Sequence, residues 1–182
     1  MPKQIIKRRE IPLPALPMGS ESSLRVVDLV HDNGSVKRIW TKDDGVQVLG
    51  LTAENKVIAI TEKGYTHLIG GYIEPGEKPE QAARRELLEE TGYNACTLKL
   101  LSCAYHDSGG SNRALWLYLA TGCCKTGNGE KDIDVILMEP NEFWKFIITH
   151  IKTESDTIPK KGLMSMVTAT LAFQELGWLT YK

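Results

Sequence analysis

Residues 70–93 read GGYIEPGEKPEQAARRELLEETGY, and within them Glu77, Glu86, Glu89 and Glu90 crowd around the pair Arg84–Arg85. On a helix each residue advances about 100°, so Glu86 and Glu90 lie about 40° apart around the axis and one turn apart along it. Glu89 lies about 60° from Glu86 on the other side, and the three carboxylates form one patch. Like charges at this spacing cost a helix roughly 0.2–0.5 kcal/mol per pair, and partial burial raises that cost. A divalent cation removes the conflict. Mg²⁺ suits such a patch, because it takes hard oxygen ligands, keeps several waters and works with substrate phosphates. The ordinary alternative is a solvated helix face on which Arg85 and Glu89 make an i,i+4 pair. On charge alone both readings stand.

Two further residue types sharpen the first reading. Arg85 is spaced to pair with Glu77 in the loop before the helix, fixing loop against helix. The Gly70–Gly71 pair allows close approach of backbone to a ligand, so that a carbonyl oxygen can join a metal shell.

These groups need elements to hold them. Pro79 suits a first helical position, Glu80 complements the positive end, and Gly92 stops the chain, which predicts a helix over Pro79–Thr91. Lys78 is a poor N-cap for it. Upstream, Asn33–Gly34 marks a hairpin between strands near Leu24–His31 and Ser35–Thr41. Asp44–Gly45 precedes a strand at Val46–Leu51, and Val57–Thr61 is a further short β run. Downstream, Leu98–Tyr105 and Ala114–Ala120 read as strands around the loop HDSGGSNR, whose His106 and Asp107 read as loop polarity. Helices are expected over Asn141–Ile148 and Leu163–Leu176. Pro12, Pro14 and Pro17 make residues 1–20 an extended arm. Strands with interleaved helices predict an α/β fold, a mixed sheet flanked by helices.

The bulk numbers exclude several classes. The chain has 182 residues, 42% hydrophobic and 25% charged, with a formal net charge of −1. That composition suits one compact domain with a small appended layer. The balanced charge gives no broad basic face for nucleic acid or an anionic membrane. Cys96, Cys103, Cys123 and Cys124 show no zinc-site spacing, and TGCCKTGNG reads as a loop carrying reduced thiols. No run has signal-peptide or membrane-spanning length, so the expectation is a soluble cytoplasmic chain.

The whole spacing decides between the two opening readings. It fits Gly-x5-Glu-x7-Arg-Glu-U-x-Glu-Glu-x-Gly-U, U being bulky and apolar, at Gly71, Glu77, Arg85, Glu86, Leu87, Glu89, Glu90, Gly92 and Tyr93. Seven fixed identities coincide by chance on the order of once in 10⁸ starting points at ordinary residue frequencies. The stretch resembles the Nudix box. The resemblance implies an α/β/α sandwich with a mixed sheet and a hydrolase that cuts a pyrophosphate. It also implies Mg²⁺ (with Mn²⁺ as substitute) held by Glu86 and Glu90, with Glu89 assisting and Gly71 offering its carbonyl. Glu77 and Arg85 become the structural clamp.

The hairpin before Val46 resembles the N-terminal β layer of ADP-ribose and nucleotide-sugar pyrophosphatases. That implies an arm and hairpin layer at 1–45, exchanged between the protomers of a homodimer, and a hydrolase domain at 46–182. The implied substrates are ADP-ribose or nucleoside diphosphate sugars, giving a nucleoside monophosphate and a sugar phosphate. The proline that marks the ADP-ribose subgroup after the box is missing from LLSCAYHDSGGSNRALW, and before the box Lys63 is the only cation in ITEKGYTHLIGG. Both departures broaden the expected range beyond ADP-ribose. Hydrolysis of nucleoside triphosphates or dinucleoside polyphosphates is the alternative, and a non-catalytic nucleotide-sugar sensor is another.

A general base need not come from the box. In the ADP-ribose branch it is often a carboxylate on a later loop, and THIKTESDTIPKKG offers Glu154 and Asp156, of which Glu154 is the candidate. Loop surface charge is the other reading for both. Trp40 offers a face for a nucleobase, or simply packs in its strand. Lys63 and Arg113 are candidate phosphate contacts, or ordinary surface cations.

Overall fold

Helix α1 (Pro79–Thr91) begins at a proline and ends at Gly92, which adopts the left-handed conformation with φ 74°. The Gly92 amide donates to the Leu88 carbonyl at 2.8 Å, closing the last turn. A side chain here would meet more than backbone strain, since a Cβ on Gly92 would lie 2.3 Å from the Gly127 carbonyl oxygen. At the other end Lys78 has no acceptor to offer. Gln81 compensates: its Oε1 accepts the Lys78 amide at 3.0 Å, half of a capping box. Ala82, Ala83, Leu87 and Thr91 form the buried stripe of the helix. Removing Leu87 from water contributes roughly 2 kcal/mol.

The computed structural model describes residues 4–11, 25–41, 43–106, 113–153 and 162–179. Eleven strands are described: β1 (Ile5–Ile11), β2 (Arg25–His31), β3 (Val36–Thr41), β4 (Gly45–Thr52), β5 (Val57–Glu62), β6 (Tyr65–His67), β7 (Ile69–Tyr72), β8 (Tyr93–Asn94), β9 (Thr97–His106), β10 (Arg113–Lys125) and β11 (Asp134–Met138). Helices α2 (Pro140–Thr153) and α3 (Gly162–Glu175) complete the order. Strands β1, β2 and β3 make one antiparallel sheet. The larger sheet runs β11-β5-β4-β10-β8, with β6 on β5, β7 on β4 and β9 on β10.

The pleat of the large sheet divides its side chains between two layers. Val46 and Val48 of β4 and Ile58 and Ile60 of β5 pack with Ala82, Ala83 and Leu87 of α1. Leu49 and Leu51, with Val57 and Ala59, pack instead with Phe143 and Ile147 of α2 and Ala169, Ala172 and Phe173 of α3. Helices therefore cover both faces, the α/β sandwich that the motif implied. None of the described helices is long and apolar enough to cross a membrane.

The chain divides into two compact units, residues 1–44 with 104–115, and residues 45–103 with 116–182. In the first, Val27, Leu29 and Ile39 form a small apolar cluster. Asp28 is buried at 2% exposure and accepts from Arg38 Nε at 2.7 Å and Nη2 at 3.0 Å, and from Arg9 Nη2 at 3.3 Å. Those guanidiniums hold its carboxyl below the ordinary range, the Arg38 hydrogen bond foremost.

Two expectations need correcting. Thr121–Lys125 belong to β10 rather than to a loop, and Cys123 is buried in the α1-side core, where burial pushes its thiol up to about 11. Gly122 at φ 62° supplied the misleading turn signal. Within the expected arm, Ile5–Ile11 is a strand paired with β2, while Pro12, Pro14 and Pro17 lie outside the described residues.

Candidate active site

Strand β7 carries the Gly–Gly pair in its middle, with Gly70 opposite Gln47 and Gly71 opposite Val46 of β4, and ends at Tyr72. The chain then turns through residues 73–78 into α1, so strand, loop and helix carry the whole acidic motif. A Cβ on Gly71 would lie 2.0 Å from Glu86 Oε1. Glycine therefore leaves the space that the Glu86 carboxylate occupies beside the strand.

Arg85 organises the cluster. Its Nε and Nη2 bind Glu77 Oε1 and Oε2 at 2.9 and 3.0 Å in a fork. Nη1 donates to Glu86 Oε1 at 2.8 Å and to Glu89 Oε2 at 3.0 Å, and Nη2 also reaches the Tyr72 carbonyl at 2.9 Å. A guanidinium has five N–H donors, so this set engages all of them. Glu77 holds the loop in turn: its Oε2 accepts the Glu74 amide at 3.0 Å. The Arg85 hydrogen bond holds Glu77 below the ordinary carboxylate range, and the guanidinium itself is shifted further up.

The carboxylates differ in environment. The Glu89 side chain is 49% exposed, whereas Glu86 is 13% exposed. Burial pushes the Glu86 carboxyl up, against the opposing pull of Arg85. Glu90 accepts the Gly70 amide on Oε2 at 3.1 Å, yet burial pushes its carboxyl up to about 8. The charges of Glu86, Glu130 and Glu62 add to that shift. Each Arg85 donor is directed elsewhere, so the deepest carboxylate of the patch lies among like charges.

Glu130 is the residue that the spacing did not reveal. Its amide donates to the Glu89 carbonyl at 3.0 Å, and its charge acts on both Glu86 and Glu90. The loop reaches the helix end because the Gly92 carbonyl accepts the amides of Thr126 at 2.9 Å and Gly127 at 3.1 Å. A Cβ on Gly129 would lie 2.5 Å from the Glu90 carbonyl oxygen. The sequence signal was GNGE, glycines that permit close approach before an acid, with no fixed distance to the box to identify it.

The other candidates have no hydrogen bond to this cluster among those described. Lys63 sits in the β5–β6 turn at φ 50°, pairs with Glu62 at 2.6 Å and is 85% exposed. Trp40, whose backbone in β3 pairs with Val26, and Arg113 at the start of β10 belong to the first unit. Glu154 and Asp156 lie outside the described residues.

Among the described residues no group of three His, Cys, Asp or Glu side chains is placed to hold a metal ion by itself. An open arrangement of two carboxylates and a carbonyl is compatible with a hard divalent cation that completes its shell with water and phosphate oxygens. The half-buried Glu86–Glu90 pair and the cradle at Gly71 match that chemistry.

Residues 41–154 match the NUDIX domain. The methanol dehydrogenase activator of Bacillus methanolicus is 30% identical over 142 residues, 71% of this chain and 77% of that protein. The ADP-ribose pyrophosphatase of Bacillus subtilis (strain 168) is 33% identical over 100 residues, 52% of this chain and about half, 54%, of that protein. Among solved structures, an ADP compounds hydrolase aligns with a TM-score of 0.65 at 16% identity, covering 98% of each chain, a likeness of fold.

Proposed function

The chain belongs to the NUDIX domain family and is a hydrolase, and from that premise we propose Mg²⁺-dependent cleavage of a pyrophosphate linkage in ADP-ribose or a nucleoside diphosphate sugar. The products are a nucleoside monophosphate and a sugar phosphate. One observation carries the reading. Glu90 is half-buried and feels the charges of Glu86, Glu130 and Glu62, while Arg85 directs its donors to Glu77, Glu86, Glu89 and Tyr72. A divalent cation balances that excess.

Glu86 and Glu90 would hold the ion, with Glu89 and the Gly71 carbonyl beside them. When bound, Mg²⁺ neutralises phosphate charge, lowers the pKa of a coordinated water and stabilises the leaving phosphate. Arg85 orients Glu86 and Glu89 and ties them to the loop through Glu77. Glu130 adds a carboxylate from the opposite loop. We assign the general base to Glu154, which takes the proton of the attacking water. Trp40, Lys63 and Arg113 are our candidates for base and phosphate contacts.

The similarity to an ADP-ribose pyrophosphatase supports the substrate class. Exposed apolar residues on the small sheet, Ile5 at 47%, Ile6 at 64% and Val36 at 56%, support a homodimer that covers them. The test is product analysis over ADP-ribose, ADP-glucose, GDP-mannose and UDP-sugars with Mg²⁺ or Mn²⁺. Release of monophosphate and sugar phosphate is expected. A triphosphate preferred many-fold over this panel would overturn the substrate class, and tight binding without turnover would indicate a sensor.

A further inference from the structure

Gln47 interrupts an apolar row. Along β4 the residues that face α2 and α3 are Leu49 and Leu51, and the pleat puts Gln47 on that same side, next to the start of the strand. The helix that meets it is polar at the matching place. Ser165 and Thr168, 2% and 0% exposed, continue the buried stripe of Ala169 and Ala172 toward the N-terminal turn of α3. A polar side chain at such a site costs stability unless its hydrogen bonds are made. Here they are made across the interface. Thr168 Oγ1 donates to Gln47 Oε1 at 2.6 Å, in preference to the longer 3.0 Å contact with the Met164 carbonyl of its own helix. Gln47 Nε2 donates to Ser165 Oγ at 3.4 Å.

Ser165 Oγ also accepts the amide of Leu68 at 3.4 Å. Leu68 stands between β6 and β7, where the chain leaves its partner β5 and begins to pair with β4. The next residues are Ile69, Gly70 and Gly71. Gly70 lies opposite Gln47, and a Cβ there would approach the Val46 carbonyl oxygen to 2.5 Å, so β4 leaves no room for a side chain at this position. The Gly70 amide then holds Glu90. One set of hydrogen bonds therefore runs from α3 through Gln47 and Leu68 to the strand that carries the acidic site.

We propose that Gln47, Ser165 and Thr168 are positioning residues, a buried polar clamp that sets the register of β7 and thereby places Gly70 and Gly71 for the carboxylates of α1. The inference rests on the metal-site reading above. An apolar trio of similar volume would fill the same space, and the clamp's contribution is geometric. Outer groups that orient metal ligands change affinity by roughly 10–100-fold when removed.

The test compares Thr168→Val, which keeps the shape and loses the hydroxyl, with Thr168→Ser, which keeps the hydroxyl. Gln47→Met removes the other partner. Mn²⁺ binding is followed by the loss of the free-ion electron paramagnetic resonance signal, and kcat and KM are measured on the substrate found active. Thr168→Val and Gln47→Met are expected to weaken Mn²⁺ binding about 10-fold and to lower kcat with KM unchanged. Thr168→Ser should restore both to within about twofold of the parent chain, and the double variant should be no worse than either single one. A Thr168→Val protein that melts earlier but binds Mn²⁺ like the parent would overturn the clamp. Failure of the parent chain to bind Mn²⁺ would instead overturn the metal site on which the clamp depends. Should Gln47→Met not fold, the Thr168 pair decides alone.

Discussion

The amide of Gly70 donates to Oε2 of Glu90 at 3.1 Å across 20 residues of sequence, joining the strand before the acidic loop to the last turn of the helix after it. The contact gives one hydrogen bond to a carboxylate whose burial pushes it up to about 8. On the proposed metal-site reading, stability and activity are set against each other at this residue. Glu90→Gln keeps an acceptor for Gly70 and removes the ionisable group. In EDTA its melting temperature should not fall below that of the parent chain, while kcat/KM drops roughly 100-fold or more, about 2.7 kcal/mol. Thermal unfolding and steady-state kinetics on the same preparation check both signs.

Arg85 is predicted to tolerate no substitution by lysine. Its fork on Glu77 and its bonds to Glu86, Glu89 and Tyr72 need several planar donors, and an ammonium has three on one atom. With Arg85 24% and Glu77 14% exposed, loss of the pair should cost about 2–3 kcal/mol in a denaturant titration. Arg85→Lys recovering full stability would show that charge alone suffices.

Gly71→Ala separates geometry from folding. The added methyl meets the end of a side chain, Glu86 Oε1, rather than backbone. Glu86 must move, so the variant should fold and lose most of its metal affinity, read by isothermal titration with Mn²⁺. Unchanged affinity would remove Glu86 from the ligand set.

The acidic loop and helix were legible because their punctuation is local. Pro79 and Gly92 fixed α1 at both ends, and the spacing of Glu77, Arg85, Glu86, Glu89 and Glu90 depends on one loop and one helix. Strand β1 was not legible, since six of its seven residues are exposed and leave no alternation to read. Strand β7 was hidden by Gly70 and Gly71, poor strand formers by type, of which Gly70 allows close approach to β4 and Gly71 leaves room for the Glu86 carboxylate. Glu130 was hidden for another reason. Its approach to the end of α1 depends on backbone hydrogen bonds between Gly92 and residues 126 and 127, which the GNGE pattern alone does not locate.

Asp28 gives the pH dependence of the first unit. Its folded pKa is depressed, first by the hydrogen bond from Arg38, so its stabilisation is present above the unfolded value of about 3.9 and is lost as pH falls through the folded value. Acid titration followed by far-ultraviolet circular dichroism should show the β signal weakening below about pH 4. Asp28→Asn should remove that acid-dependent component and be less stable than the parent at neutral pH. An unaltered acid transition in the variant would assign it to other carboxylates.

The most direct test of the central claim is ³¹P nuclear magnetic resonance of ADP-ribose and nucleoside diphosphate sugars incubated with the protein. The pyrophosphate resonances should give way to two phosphomonoester signals only when Mg²⁺ or Mn²⁺ is present, and should persist with Glu90→Gln. Turnover that proceeds undiminished in EDTA, or intact pyrophosphate across the whole panel with metal supplied, would contradict it.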